Sequence, residues 1–190
     1  MIGILALQGG VEEHRHSMSR CGAATRPVRR CEDLENICGM ILPGGESTTI
    51  TKLIISSGIG PSVRSLIDAG MPVWGTCAGS ILLSRGGIWE SADVEMQRNA
   101  YGPQRESRIR SGTIKGRLEK IPMVFIRAPR VVNISGDVEV LARADGDMVA
   151  LRQRNVLLTT FHPELTSETY FADIFMGMVY SRTSQAASKG

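Results

Sequence analysis

Pro72-Val73-Trp74-Gly75-Thr76-Cys77-Ala78-Gly79-Ser80-Ile81-Leu82-Leu83 decides how this chain is read. A short apolar run enters a Gly-x-Cys-x-Gly turn and a second apolar run leaves it. That is the pattern of a nucleophile elbow, in which strand, sharp turn and helix present a reactive side chain at the apex. Side chains at Gly75 and Gly79 would crowd the backbone where strand and helix approach each other. Cys77 then sits at a helix N-terminus, where unpaired N–H groups and the helix dipole favour thiolate over thiol. A buried structural cysteine in an ordinary βα turn would give the same five residues, so the reactive reading needs partners elsewhere in the chain.

Working outward, the residues before the elbow alternate between strand and helix patterns. Residues 2–7 are apolar without alternation, the sign of a strand covered on both faces. They carry no basic leader or cleavage site and read as a first strand. Gln8-Gly9-Gly10 turns into a helix from about Val11 to Cys21, closed by Gly22. The G-x-G-x-x-G dinucleotide fingerprint is absent there. His14 and His16 are two apart on that helix, cannot share a face to hold a metal, and are expected to be solvated. Residues 24–29 form a weak strand and 38–42 a better one, which runs into Pro43-Gly44-Gly45-Glu46-Ser47. Ser47 or Thr48 is placed to cap a helix closed by Gly58, and Pro61 opens another that Gly70 ends. This order predicts an α/β fold: a three-layer, open, mostly parallel sheet flanked by helices.

After Leu83 the pattern changes to short strand candidates at 93–98, 107–114, 122–127, 130–134, 137–143, 147–153 and 155–161, an antiparallel extension of the sheet. Val138, Val140 and Ala142 are expected on one side of their strand. A final helix over about 167–181 carries Tyr170, Phe171, Ile174, Phe175, Met178 and Val179 on one stripe. One domain over 1–183 is expected, with 184–190 a frayed polar tail.

Bulk properties exclude several classes. The 190 residues suit one domain with a sizeable core, and the net charge of +3 comes without a lysine–arginine block, so no nucleic-acid groove is indicated. No apolar run approaches the ~18 residues of a membrane span. The four cysteines show no CxxC pair and no zinc spacing, which suits a reducing cytoplasm and gives no metal site.

A cysteine nucleophile needs a base, an orienter and an oxyanion hole. Outside the first helix the one histidine is His162, in Thr160-Phe161-His162-Pro163-Glu164, where an apolar strand ends. Sites in open parallel sheets form at that edge. Pro163 restricts the residue before it to extended backbone, and Glu164 is a candidate partner for the ring nitrogen that does not face sulfur. For the oxyanion hole there are two backbone candidates: the N–H of Ala78, and an N–H of the Pro43–Glu46 loop, taken at Gly45.

Pro43-Gly44-Gly45-Glu46-Ser47, Gly75-Thr76-Cys77-Ala78-Gly79 and Phe161-His162-Pro163-Glu164 together resemble the class I, triad-type glutamine amidotransferases. Five ordered blocks narrow the resemblance to the glutaminase subunits of pyridoxal phosphate (vitamin B6) synthase. They are Leu5–Gly9, Leu42–Thr49, Gln97–Gly102, Val124–Pro129 and His162–Thr166. The resemblance implies that Cys77 attacks the side-chain amide of L-glutamine to form a glutamyl thioester and release ammonia. It makes His162 the general base and acid, and Glu164 its orienter. It assigns glutamine contacts to Gly45, Glu46, Ser47, Arg98, Ile126 and Arg127. It also implies that ammonia is channelled to a (β/α)₈-barrel synthase subunit, with the Gln8-Gly9 turn at that interface helping to organise the oxyanion hole. No metal or organic cofactor is implied for this subunit.

The chain departs from the family pattern in three places. Residues 84–93 are shorter than usual, Ser80 stands where an apolar residue is usual, and Pro103 where arginine is. Besides another class I amidotransferase, two readings from other classes stay open. One is a peptidase-like or glyoxalase-like elbow enzyme, though such relatives lack the Pro-Gly-Gly-Glu-Ser block and the His-Pro-Glu ending. The other is a non-catalytic partner subunit that binds glutamine without turnover.

Overall fold

The computed structural model describes residues 1–98 and 108–187, the side chains of 185–187 excepted. Three apolar segments, β1 (Ile2–Leu5), β3 (Gly39–Leu42) and β4 (Val73–Thr76), and a more polar edge strand, β2 (Thr25–Val28), run parallel. Pro27 is tolerated in β2 because that strand is the sheet edge, where a missing N–H breaks no ladder. Helix α1 (Val11–Arg20) follows β1, and a 3-10 turn (Cys31–Leu34) follows β2. Helices α2 (Ser47–Ser57) and α3 (Gly60–Asp68) join β3 to β4, and α4 (Ala78–Leu83) leaves the elbow.

The second half supplies β5 (Val94–Gln97), β6 (Arg108–Ile114), β7 (Ile121–Phe125), β8 (Arg130–Ile134), β9 (Glu139–Ala144), β10 (Asp147–Gln153), β11 (Val156–Thr159) and α5 (Tyr170–Ala187). The large sheet has the order β2-β1-β3-β4-β11-β10-β9-β6-β7, and β5 and β8 pair separately. β11 is parallel to β4, and the strands beyond it are antiparallel. The parallel sheet and antiparallel extension expected from the sequence are therefore both present.

Alternate side chains of the central strands feed two cores. Ile2, Ile4, Ile41, Trp74 and Leu157 pack with Met18 of α1 and with Phe171, Phe175 and Val179 of α5. Leu5, Met40, Leu42, Val73 and Leu158 pack with Ile50, Ile54, Val63, Ile67 and Leu82 of α2, α3 and α4. Two helical layers thus enclose the sheet.

Several local expectations change. Neither Ser47 nor Thr48 caps α2: Glu46 is the N-cap residue, it makes no side-chain capping bond, and Thr48 Oγ1 instead donates to Glu46 Oε1 at 3.1 Å. In β9 the expected alternation fails, because register shifts against β10 leave Leu141 and Ala142 both buried. The strand expected over 122–127 stops at Phe125, and Arg127 adopts a φ of 46°. Helix α5 starts at Tyr170 and continues to Ala187, so the backbone of 184–187 belongs to it. The Asn99–Gly102 part of one sequence block, and Pro103, lie outside the described residues. No helix among the described residues is long and apolar enough to cross a membrane.

Candidate active site

The elbow takes the form its glycines require. A β-carbon on Gly75 would lie 2.6 Å from the Gly79 carbonyl carbon, and one on Gly79 would lie 1.9 Å from the Leu42 oxygen. Between them Cys77 holds φ 47° and ψ −109°, a strained conformation for a residue with a side chain. It is kept there by its N–H, which donates to the Thr159 carbonyl at 2.8 Å. Buried Ser80 adds a second tie, its hydroxyl lying 2.8 Å from Gly75 O and 2.7 Å from Thr159 O. The polar residue that departs from the family pattern therefore fastens the elbow to β11.

β11 delivers His162 three residues beyond its end. The His162 N–H donates to Val124 O at 2.8 Å, which also brings β7, the far edge of the sheet, back over the site. Nδ1 of His162 is 2.7 Å from Glu164 Oε1, leaving Nε2 as the nitrogen for the sulfur. The approach of Cys77 and His162 can be gauged at Gly44. A β-carbon there would lie 3.1 Å from Cys77 Cβ and 2.4 Å from His162 Cε1. Burial works against a charged His162 ring, but hydrogen bonds to Cys77 and Glu164, and their charges, raise its pKa to about 10. Burial likewise works against an ionised Glu164, yet the His14 and His162 rings facing it hold its carboxyl below the usual range.

The Pro-Gly-Gly loop follows β3. Gly44 N–H donates to Thr76 Oγ1 at 3.1 Å, and Glu46 N–H donates to Gln8 Oε1 at 3.0 Å. Between them, the N–H of Gly45 has no acceptor among the described residues. Gly9, with φ 115°, passes so close that a β-carbon on it would lie 2.0 Å from Gly44 O. Gln8 and Gly9 thus brace the loop that carries the candidate oxyanion donor. Ala78 opens α4, where a helix leaves its N–H groups unpaired.

These residues surround a cavity of about 440 Å³, within the range of small-molecule sites. Its lining includes Gln8, Gly9, Gly45, Glu46, Ser47, Cys77, Ala78, Arg98, Ile126, Arg127 and His162. Every site residue expected from the sequence is there except Glu164, which stands behind His162. Arg127 Nη2 donates to Glu46 Oε2 at 2.9 Å, setting an acid and a base side by side on the wall. The Ile126 carbonyl oxygen is 3.7 Å from Cys77 Sγ. The short 84–93 segment is anchored by buried Trp89, whose Nε1 donates to Gly60 O at 3.0 Å, and Arg98 still reaches the cavity.

One expectation is overturned. His14 is not solvated; it is fully buried behind the site, with Nε2 3.0 Å from Thr76 Oγ1 and 3.6 Å from Glu164 Oε2. The signal was in its spacing, since His14, Ser17 and Met18 are the buried face of α1 at i, i+3 and i+4. His16 is exposed. Among the described residues, no group of three or more His, Cys, Asp or Glu is arranged to hold a metal ion.

A reactive cysteine, an oriented histidine and an unpaired backbone N–H around one cavity suit acyl transfer, and the comparisons agree. Pyridoxal 5'-phosphate synthase subunit PdxT of Caldicellulosiruptor saccharolyticus is 47% identical over 182 residues, covering 92% of this chain and 96% of that protein. PdxT of Streptomyces coelicolor is 44% identical over 196 residues, covering 98% and 96%. A solved glutamine amidotransferase superposes with a TM-score of 0.86 at 38% identity, over 94% of this chain and 98% of the other. PurLQS from Thermotoga maritima, at 16% identity and a TM-score of 0.70 over 95% and 94%, shares the fold. Residues 4–181 match the SNO glutamine amidotransferase family. With that match over nearly the whole chain, and relatives this similar along their full length, the chain belongs to the SNO glutamine amidotransferase family.

Proposed function

We propose that this chain is the glutaminase subunit of a pyridoxal phosphate synthase, with residues 1–183 acting as one amidotransferase domain. The observation that carries the reading is the meeting of Cys77, His162 and the unpaired Gly45 N–H in one cavity, with Glu164 bound to the imidazole from behind. Relatives named as subunits of that synthase support the choice of pathway.

The chemistry follows from the geometry. The thiolate is the nucleophile, and an imidazolium facing the sulfur favours it. Sulfur attacks the side-chain carbonyl carbon of L-glutamine, and the carbonyl oxygen takes the negative charge toward Gly45 N–H and Ala78 N–H. His162 gives its proton to the departing nitrogen, ammonia leaves, and a glutamyl thioester remains. His162 then takes a proton from water, which attacks the thioester; glutamate leaves, and the thiolate and imidazolium are restored. Glu164 holds the ring so that Nε2 faces the sulfur throughout. Glu46 suits the α-ammonium of free glutamine, and Arg98 and Arg127 suit its α-carboxylate. Ser47 and the Ile126 backbone complete the wall. The ammonia passes to a (β/α)₈-barrel synthase subunit that docks at the Gln8-Gly9 side, in the cytoplasm.

The test is glutamate release from L-glutamine, with and without a synthase subunit, by the wild type and by Cys77→Ala. Release is expected to rise with the partner and to vanish in Cys77→Ala. Undiminished turnover by Cys77→Ala would end the reading. So would glutamine binding with no thioester and no alkylation of Cys77 by a glutamine-mimicking electrophile; that result would favour a non-catalytic subunit.

A further inference from the structure

Helix α1 sends into the back of the site one side chain that the reaction above leaves unused. His14 is fully buried, its ring edge-on to Trp74 at a centroid distance of 5.7 Å. Its Nε2 is 3.0 Å from Thr76 Oγ1, the same oxygen that accepts Gly44 N–H at 3.1 Å. It is also 3.6 Å from Glu164 Oε2, while the other oxygen of that carboxylate engages His162. One line of contacts therefore runs from the Gly-Gly loop through Thr76, His14 and Glu164 to His162. Two of its atoms, His14 Nδ1 and Glu164 Oε2, are buried without a hydrogen-bond partner among the described residues.

The placement of one proton follows. The charged or titratable groups facing His14 are Glu164 and His162 from the turn after β11 and Glu13 from its own helix. Burial lowers the His14 pKa, His162 pushes the same way, and Glu164 and Glu13 oppose. The ring is thus neutral near pH 7 and has a single N–H to place. On Nδ1, that N–H would be buried with no acceptor, and Nε2 would aim a lone pair at the Glu164 carboxylate. On Nε2, it donates to Thr76 Oγ1 and turns its positive end toward Glu164 Oε2. At 3.6 Å the carboxylate contact is too long for a full hydrogen bond. In a dry site it still acts as a charge–dipole attraction on an oxygen with no other donor.

We propose that His14 is a positioning residue, a neutral imidazole whose Nε2–H, shared between Thr76 Oγ1 and Glu164 Oε2, fixes the orienting carboxylate and ties it to the Gly44 loop. His14 touches neither substrate nor sulfur. It keeps Glu164 ionised and aimed, so that His162 keeps its proton and its direction. Its effect on rate rests on the glutaminase reading; its geometry does not.

Two readouts by NMR of the ¹⁵N-labelled wild type and variants, and one kinetic readout in the complex with the synthase subunit, test this. In the wild type, the ring nitrogen shifts of His14 are expected to report the Nε2–H tautomer; the Nδ1–H tautomer overturns the proposal even if every variant misfolds. In His14→Leu the titration of His162 is expected to fall by at least about one pH unit. The kcat for glutamine hydrolysis is expected to drop about tenfold or more, because the carboxylate that aims His162 loses the dipole facing its second oxygen. KM should stay within about twofold, since no substrate contact is lost. His14→Gln, whose amide N–H can reach the position of Nε2, should recover most of both effects. An unmoved His162 titration in His14→Leu, or a His14→Gln as damaged as His14→Leu, overturns the proposal. If the wild type fails to hydrolyse glutamine, the glutaminase reading falls, while the tautomer and the His162 titration still decide the geometric claim.

Discussion

Gly44→Ala places one methyl group where Cys77 and His162 converge, so its effect can be worked from the coordinates. The backbone of Gly44 lies outside the left-handed region, and an alanine costs nothing in φ. The added carbon would meet His162 Cε1 at 2.4 Å and Nδ1 at 3.2 Å. Ordinary contact begins near 3.4 Å, so ring and loop must separate by about 1 Å. Neither side has an easy retreat. The ring is held by Glu164 at 2.7 Å and by its own N–H on Val124; the loop is held by Thr76 at 3.1 Å and hemmed in by Gly9. Overpacking of this kind costs about 1–3 kcal/mol. In a chain of this length that lowers Tm by roughly 2–12 °C. A base displaced by ~1 Å can cost ~100-fold in rate. The assay is steady-state glutamine hydrolysis in the presence of the synthase subunit, paired with thermal unfolding. We expect kcat to fall about 100-fold, with KM changed far less, because the residues proposed to hold the ends of glutamine are others. A variant with at least a third of the wild-type kcat and an unchanged Tm would refute the packing of ring on loop. A large fall in Tm with kcat intact would show that the loop, and not the ring, gives way.

Four further outcomes are expected elsewhere in the fold. Ser80→Ala removes a buried hydroxyl that holds Gly75 O and Thr159 O together, and should lower stability by about 1–3 kcal/mol in denaturant unfolding. Gly177→Ala should raise stability by about 0.5–1 kcal/mol, since Gly177 lies exposed within α5 with nothing within 4 Å of its would-be side chain. Arg127→Ala breaks an ion pair whose side chains are 66% and 45% exposed, so stability should change by less than ~1 kcal/mol while KM for glutamine rises several-fold in the hydrolysis assay. Acid unfolding should begin below the ordinary histidine value of 6.5, because the folded state keeps His14 neutral while the unfolded chain takes up the proton. Stability then falls with pH by at most ~1.4 kcal/mol per unit, with Glu164, also depressed, adding its loss further down. That first limb should be missing from Tm against pH in His14→Leu.

Much of this was legible in the sequence because strained turns need particular residues. Gly75 and Gly79 can be read as an elbow because any side chain there meets backbone within 3 Å, and the structure shows that contact. Pro163 after His162 and Glu164 two residues on are local, so their arrangement travels with the sequence. The i, i+3, i+4 spacing of His14, Ser17 and Met18 is the one local sign of the buried face of α1, and a serine with a single methionine makes it a faint one. The His14 partners Thr76 and Glu164 are 62 and 150 positions away, and no local rule pairs them. The return of β7 over the site was equally hidden. A strand pattern over 122–127 gives no sign that β7 lies at the far edge of the sheet, or that Ile126 ends 3.7 Å from the Cys77 sulfur. Ser80 looked like a flaw in an apolar run. Its meaning appears only once Thr159 is known to be a neighbour.

The sheet explains why residues so far apart in the chain meet at all. β1, β3, β4 and β11 are neighbours, each parallel to the next, so their carboxyl ends emerge along one edge. Gln8 follows β1, Gly44 follows β3, Cys77 follows β4 and His162 follows β11, each within three residues of its strand end. Strands in a sheet are about 4.8 Å apart. Side chains leaving neighbouring ends are therefore within reach of one another with no long loop to order. The strain that presents the sulfur sits in the Cys77 backbone. The Thr159 carbonyl, receiving both the Cys77 N–H and the Ser80 hydroxyl, holds that strain against the very strand that carries His162. The elbow that carries the sulfur is consequently fastened to the strand that leads to the imidazole. A perturbation at Thr159 or Ser80 should move the pair out of register, whereas loss of the exposed Arg127 side chain, proposed above to bind glutamine, should leave the pair in place.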